Sequence, residues 1–184
     1  MNHMGTVKLI TEKSILRQFE KNDAEAMFQN LFGDAEVMRF LPWGTHMSIS
    51  ETEIHLTDCI THYVDQDYYA WAIVPKELKV PIGFIDTVVD ITISAIKVDY
   101  GIGKSWWHKD YTSDALITLI RFAFEVIKVN RVYATHDPRN PNSGKVMEKC
   151  GMKYEGTLRQ TRYRKGEYSD RAMYAILAGD YFNR

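Results

Sequence analysis

At 184 residues, 45% apolar and 12% aromatic, the chain has the length of one domain and enough apolar side chain for a substantial core, which excludes disorder of the whole. Lys and Arg number 23 against 24 Asp and Glu, so a net charge of -1 supplies no global field for nucleic acid or an anionic membrane. Cys59 and Cys150 stand far apart without Cys-x-x-Cys spacing, which argues against a zinc site or a disulfide framework and points to a reduced, cytoplasmic compartment without bound metal.

In chain order, Met1 to Gly5 is short and polar with no apolar segment behind it, and no run of about 18 apolar residues follows anywhere. Secretion and membrane spanning are disfavoured. Residues 1–6 are expected to be a flexible N-terminus and 7–184 a single domain, because no repeat, low-complexity stretch or Pro/Gly/Ser-rich linker divides the chain. Leu9 to Phe19 reads as a strand with a break near Glu12 and Lys13. Asn22 and Glu25 have capping-box spacing and predict a helix to about Phe32, and Ser48 with Glu51 repeats the signal before Ile54, Ile60, Tyr63 and Val64, whose spacing predicts one buried helical face.

From Tyr69 the composition turns β-branched and aromatic. Trp71 to Val74, Pro81 to Ile85 and Val88 to Ile102 predict an antiparallel meander. Ala115, Leu116, Leu119, Ile120, Ala123, Phe124 and Ile127 then recur at helical spacing and predict an amphipathic helix from about Ser113. Arg131 to His136 is a short strand. Ser143 to Lys149 is a helix capped by Asn142 or Ser143 and stopped by Gly151, and two strands around a Lys165-Gly166 turn finish the chain. The class is α+β (mixed α/β), a mixed sheet with helices on both faces.

Two segments stand out chemically. Tyr100 to Ala115 runs from a strand through a polar loop into the best helix; such a helix start favours anions, and it is also what any strand-to-helix connection looks like. His136 to Met152 holds Pro138 and Pro141, which keep a polar loop extended beside a strand end, with Asn140 and Ser143 as turn and cap residues or as functional ones.

Both segments resemble the GNAT acyltransferase superfamily, in its branch of ribosomal-protein N-terminal acetyltransferases. The likeness also takes in Leu9 to Arg17, Asp23-Ala24, Asp34 to Trp43, Pro81 to Ile85, Val129 to Ala134 and Tyr154 to Gly156. Its most specific element is Asn140 to Met152, which is similar to the family's asparagine-to-serine helix and glycine stop almost position for position. The resemblance implies a six- to seven-stranded, mostly antiparallel sheet with a V-shaped splay between Val98 to Lys104 and Arg131 to His136. The pantetheine arm of acetyl-CoA, the implied co-substrate, would insert there against backbone groups around Tyr100 and Ile102.

In the family the loop pattern Q/R-x-x-G-x-G/A cradles the pyrophosphate, because small residues let the phosphates approach backbone N–H groups. Here the pattern falls on Trp107, His108, Lys109, Asp110, Tyr111 and Thr112, with Ser113 next in line. Trp107 stands for Gln or Arg, and Asp110 stands where glycine is expected. Asp tolerates a left-handed backbone, but its charge opposes a pyrophosphate unless the side chain turns away or pairs with Lys109 or His108.

The implied reaction is direct attack by a neutral primary amine on the thioester. Ile102 N–H would polarise the carbonyl, Asn140 orient pantetheine, and Ser143 either protonate the leaving thiolate or merely cap its helix. Asp99, His136, Asp86 and Glu36 all stand near where the family places its base, and Trp43, Tyr63 and Tyr69 are either pocket walls or core. Acidic residues in this region suit a cationic acceptor: a protein N-terminus, a polyamine or an aminoglycoside. The alternative is a degenerate binding or regulatory module with weak or no acetyl-CoA use. Arg159, Arg162, Arg164 and Lys165 raise a nucleic-acid reading that interspersed Glu155, Glu167 and Asp170 turn into a solvated strand face. Oligomeric state is open, a homodimer being the commonest closed assembly.

Overall fold

The opening strand breaks at Glu12 and Lys13 because Asp114, far along the chain, accepts from both of their backbone N–H groups (3.0 and 2.9 Å) and from Thr11 Oγ1 (2.5 Å). The break leaves β1 (Leu9–Ile10) and β2 (Ser14–Arg17) as separate strands, so the sheet has eight rather than six or seven. The structure is a computed structural model that describes residues 1–164 and 166–183. Lys165, expected in the final turn and in the basic group, lies outside the described residues. Residues 1–6, expected to be flexible, are hydrogen-bonded to the body: Asn2 N–H donates to Ile127 O (2.7 Å), Gly5 N–H to Gln66 O (2.7 Å) and Thr6 Oγ1 to Tyr68 O (2.9 Å).

The remaining strands are β3 (Tyr69–Pro75), β4 (Gly83–Asp90), β5 (Ala95–Ile102), β6 (Arg131–His136), β7 (Lys153–Arg164) and β8 (Glu167–Leu177). They lie in the order β1-β2-β3-β4-β5-β6-β8-β7. Every pair is antiparallel except β5 with β6, which confirms the mixed, mostly antiparallel α+β sheet.

Helices cover both faces. On one side α1 (Ala24–Met27, continued as a wider turn through Phe32) and α2 (Ile49–His62) bury Met27, Leu31, Phe32 and Leu56 against Ala72, Val74 and Phe84. On the other, α3 (Tyr111–Phe122), α4 (Pro141–Lys149) and α5 (Ala178–Phe182) close over Trp71, Ile73, Ile85, Ile96 and Val98. Burying aliphatic and aromatic side chains of this size contributes about 2 kcal/mol each.

Three local expectations are corrected. The capping box is Glu20 with Asp23, on the tight turn Lys21–Asp23 that leads into α1, not Asn22 with Glu25, and Arg17 clamps the Asp23 carboxylate (2.6 and 2.8 Å). Ser48 does cap α2, accepting from Glu51 N–H (3.4 Å), but Ile54 and Val64 face water while Thr52, Leu56 and Cys59 face the sheet. Helix α4 begins at Pro141, so Asn140 is the capping position; proline at the first turn gives up only an N–H that no helix uses.

Candidate active site

Strands β5 and β6 pair in parallel from Ala95↔Arg131 to Lys97↔Tyr133 and then part, though β5 runs on to Ile102 and β6 to His136. That is the expected splay, and it ends at Ile102; Lys104 already belongs to a tight helical turn. Gly103 N–H donates to Ile82 O on the β4 side (2.9 Å). Since successive N–H groups of a strand alternate direction, those of Tyr100 and Ile102 point away from β4 and into the gap.

Two cavities meet at the gap. The larger, about 460 Å³, is lined by Tyr100, Ile102, Trp107, His108, Asp110, Tyr111, Thr112, Ser113, Asn140 and Ser143. Of the residues expected to bind the cofactor only Lys109 is missing from its wall; its carbonyl instead accepts from Lys13 Nζ (2.9 Å). The smaller, about 60 Å³, is lined by Val98, Asp99, Tyr100, Thr135, His136, Asn140, Ser143, Arg162 and Arg171 among others. Asn140, Ser143 and Tyr100 thus stand on the boundary between the two.

The loop before α3 keeps the shape that glycines would give. His108 (φ 60°) and Asp110 (φ 68°) both lie in the left-handed region. Asp110 does not pair with Lys109 or His108: Lys149, the last residue of α4, donates to Asp110 Oδ1 at 2.6 Å and holds its carboxyl below the usual carboxylate range. Ser113 is buried and its Oγ donates back to Asp110 O (3.0 Å), so its hydroxyl serves the turn. Trp107 folds back and donates its indole N–H to Ile102 O (3.0 Å), while Tyr111 O–H donates to Glu77 (2.5 Å).

At α4 the Tyr100 hydroxyl donates to Ser143 O (2.9 Å) and lies 3.1 Å from Ser143 Oγ. Burial raises the Tyr100 pKa, so the phenol stays protonated through neutral pH. His136 is buried; its Nδ1 donates to Asp137 O (2.9 Å), while Nε2 has no partner and lies under Gly144, where an added Cβ would stand 2.7 Å from it. The ring therefore borders the small cavity with its free nitrogen closed over by α4. Gly151, with φ 82°, ends the helix as expected.

Of the other candidate bases, Asp99 faces the small cavity and accepts from Lys97 Nζ (2.5 Å). Asp86 is directly opposite Asp99 in the β4–β5 register; burial, and then the neighbouring Asp99 carboxylate, push it up to about 7. Glu36 is held by Lys104 (2.5 Å) at the rim of the larger cavity, away from the small one. Trp43, Tyr63 and Tyr69 line neither cavity: Trp43 packs on Phe84, Tyr63 O–H donates to Ala70 O (2.9 Å), and Tyr69 is wholly buried. Lys149 and Arg171 line the cavities although local sequence patterns did not single them out, and Arg162, expected on a solvated strand face, lines the small one, because tertiary packing alone brings them to the gap. No His/Cys/Asp/Glu group among the described residues could hold a metal ion, and no helix there is long and apolar enough to cross a membrane.

The family model described as "Acetyltransferase (GNAT) domain" matches residues 13–153. An uncharacterized N-acetyltransferase p20 of Bacillus licheniformis is 26% identical over 174 residues, 94% of this chain and 97% of that protein. A GNAT-family acetyltransferase from Bacillus anthracis superposes with a TM-score of 0.84 at 24% identity, over 94% of this chain and 99% of the other. A ribosomal L7/L12 alpha-N-protein acetyltransferase, solved in complex with coenzyme A, superposes with a TM-score of 0.80 at 19% identity, over 94% and 98%. These structural likenesses speak for the fold.

Proposed function

Since this chain belongs to the GNAT acetyltransferase family, in the part of it that resembles the ribosomal-protein acetyltransferases, we propose that it transfers the acetyl group of acetyl-CoA to a primary amine in a ternary complex. The observation that carries this reading is the parting of β5 and β6 after Lys97 and Tyr133 with Asn140 and Ser143 at its edge. An extended pantetheine arm would complete the sheet in that gap, taking the Tyr100 and Ile102 N–H groups as donors.

The acetyl carbonyl oxygen would rest on Ile102 N–H, which stabilises the negative charge that develops when the amine nitrogen bonds to the carbonyl carbon. The carbon–sulfur bond then breaks, Ser143 Oγ gives the departing thiolate its proton, and the second proton shed by the nitrogen as it becomes an amide restores the serine by way of the Tyr100 hydroxyl beside it. The amine arrives as an ammonium and loses its proton to Asp99. Asp86 lies opposite Asp99 in the β4–β5 register and is pushed up to about 7 by burial and then by the Asp99 carboxylate.

Calorimetric titration with acetyl-CoA, followed by thiol release in the presence of amines, tests the reading. Micromolar binding with amine-dependent thiol release is expected. Absence of cofactor binding by the wild type, with binding restored in Asp110→Gly, would replace the enzyme by a degenerate binding module.

A further inference from the structure

Two arginines of the small cavity have no part in the chemistry above. Arg162 on β7 pairs in register with Ser169 on β8, and Ser169 lies two residues from Arg171. Residues paired across strands share a face, as do residues two apart along one strand, so both guanidinium groups leave the sheet on the same side. There they line the cavity together with Asp99, Asn140 and Ser143.

The carboxylates around them are already matched. Asp99 is held by Lys97 (2.5 Å), Asp137 by Arg139 (2.7 Å), and Arg139 also reaches Glu167 (2.9 Å). Among the described residues neither Arg162 nor Arg171 has an ion-pair partner, and Arg171 Nε is buried without an acceptor. Burial and then the neighbouring Arg162 lower the Arg171 pKa, and the pull of Asp137 and Asp99 does not outweigh them. A buried guanidinium donor left without an acceptor is costly, and a bidentate carboxylate is the partner a guanidinium fork fits best. The cavity, about 60 Å³, has room for roughly two water-sized volumes, the bulk of one carboxylate.

We propose that Arg162 and Arg171 form an anion subsite in the acceptor cavity, and that the acceptor is a small primary amine whose far end carries a carboxylate. This rests on the acyl-transfer reading and narrows the expectation of a cationic acceptor: of Asp99, Asp86 and Glu36, which suggested one, only Asp99 lines this cavity, and Glu36 is held by Lys104. Asp99 remains beside Ser143 for the ammonium end, and the arginines take the other.

The test is calorimetric titration of the CoA-saturated protein with three amines of one length: 3-aminopropionate, 3-aminopropanol and 1,3-diaminopropane. The carboxylate is expected to bind about tenfold tighter than the alcohol, with the diamine weakest. In Arg171→Gln and in Arg162→Gln the preference should vanish; Arg171→Lys, which keeps charge without the fork, should retain part of it. Unchanged CoA affinity in each variant certifies its fold. Equal binding of the three by the wild type, preference for the diamine, binding of none, or a preference that survives both Gln variants overturns the proposal. If the wild type fails to bind CoA, the acyl-transfer reading falls, and the same titrations on the free protein still decide the subsite.

Discussion

The two loops that open onto the cleft solve one problem in opposite ways. From Asn140 through α4, residue identity resembles the family's pattern almost position for position, and Asn140 and Ser143 border both cavities. Ahead of α3, identity departs from the family while conformation is retained: His108 and Asp110 take the left-handed backbone that glycines would take. The charge this introduces is answered from the other loop's helix, by Lys149. Where a site works through backbone N–H groups, sequence drifts if φ is kept and charge is balanced; where it works through hydroxyl and amide groups, the residue itself is needed.

That contrast can be broken most forcefully at Gly144, where a Cβ would stand 2.7 Å from His136 Nε2 and 3.4 Å from the Tyr174 hydroxyl. Gly144→Ala is expected to destabilise the protein by about 3 kcal/mol in denaturant unfolding, because α4 must lift from the sheet. Next, Ser143→Ala should lower kcat about a hundredfold in the thiol-release assay; an unchanged kcat would reduce Ser143 to a turn residue and erase the contrast.

A third probe lies outside both loops. The folded pKa of Asp86, about 7, exceeds its ordinary 3.8, so the native state binds more protons than the unfolded state between those values. Stability conferred by the protonated group is therefore present at low pH and lost as pH rises through about 7. Asp86→Asn should remove that loss and leave the variant more stable than wild type at alkaline pH by about 2 kcal/mol, read as a smaller fall of Tm with pH. The smallest effect belongs to the exposed pair. Lys149→Gln, which leaves the Asp110 carboxylate unanswered beside the phosphate loop, should weaken CoA binding about tenfold, and adding Asp110→Gly should restore it to within about twofold. Unchanged affinity in Lys149→Gln would show that Asp110 never faced the phosphates.

Much of this was legible in the chain because it is written in local spacing. The period of Ala115, Leu116, Leu119 and Ile120 marks a helix that buries those residues, the β6 strand runs from Arg131 to His136 as expected, and the Asn140 to Gly151 pattern carries both family and helix stop. Local spacing misled where two registers compete. Ile54 and Val64 have helical spacing, yet Thr52, Leu56 and Cys59 took the inner face because the sheet offers Ala72 and Phe84 there.

The sequence by itself determined the α+β class, the GNAT family and residues that line the larger cavity, since each depends on periodicity or on contiguous motif. Tertiary structure alone decided which charges meet. Asp114 cuts the first strand from about a hundred positions away along the chain, with Thr11 as its partner at 2.5 Å. Lys149 neutralises Asp110 across 39 residues. Arg162 and Arg171 line one cavity with Asp99 and Ser143 only because β8 inserts between β6 and β7. Charge interactions act through space, so their partners are fixed by the folded path of the chain and not by spacing along it.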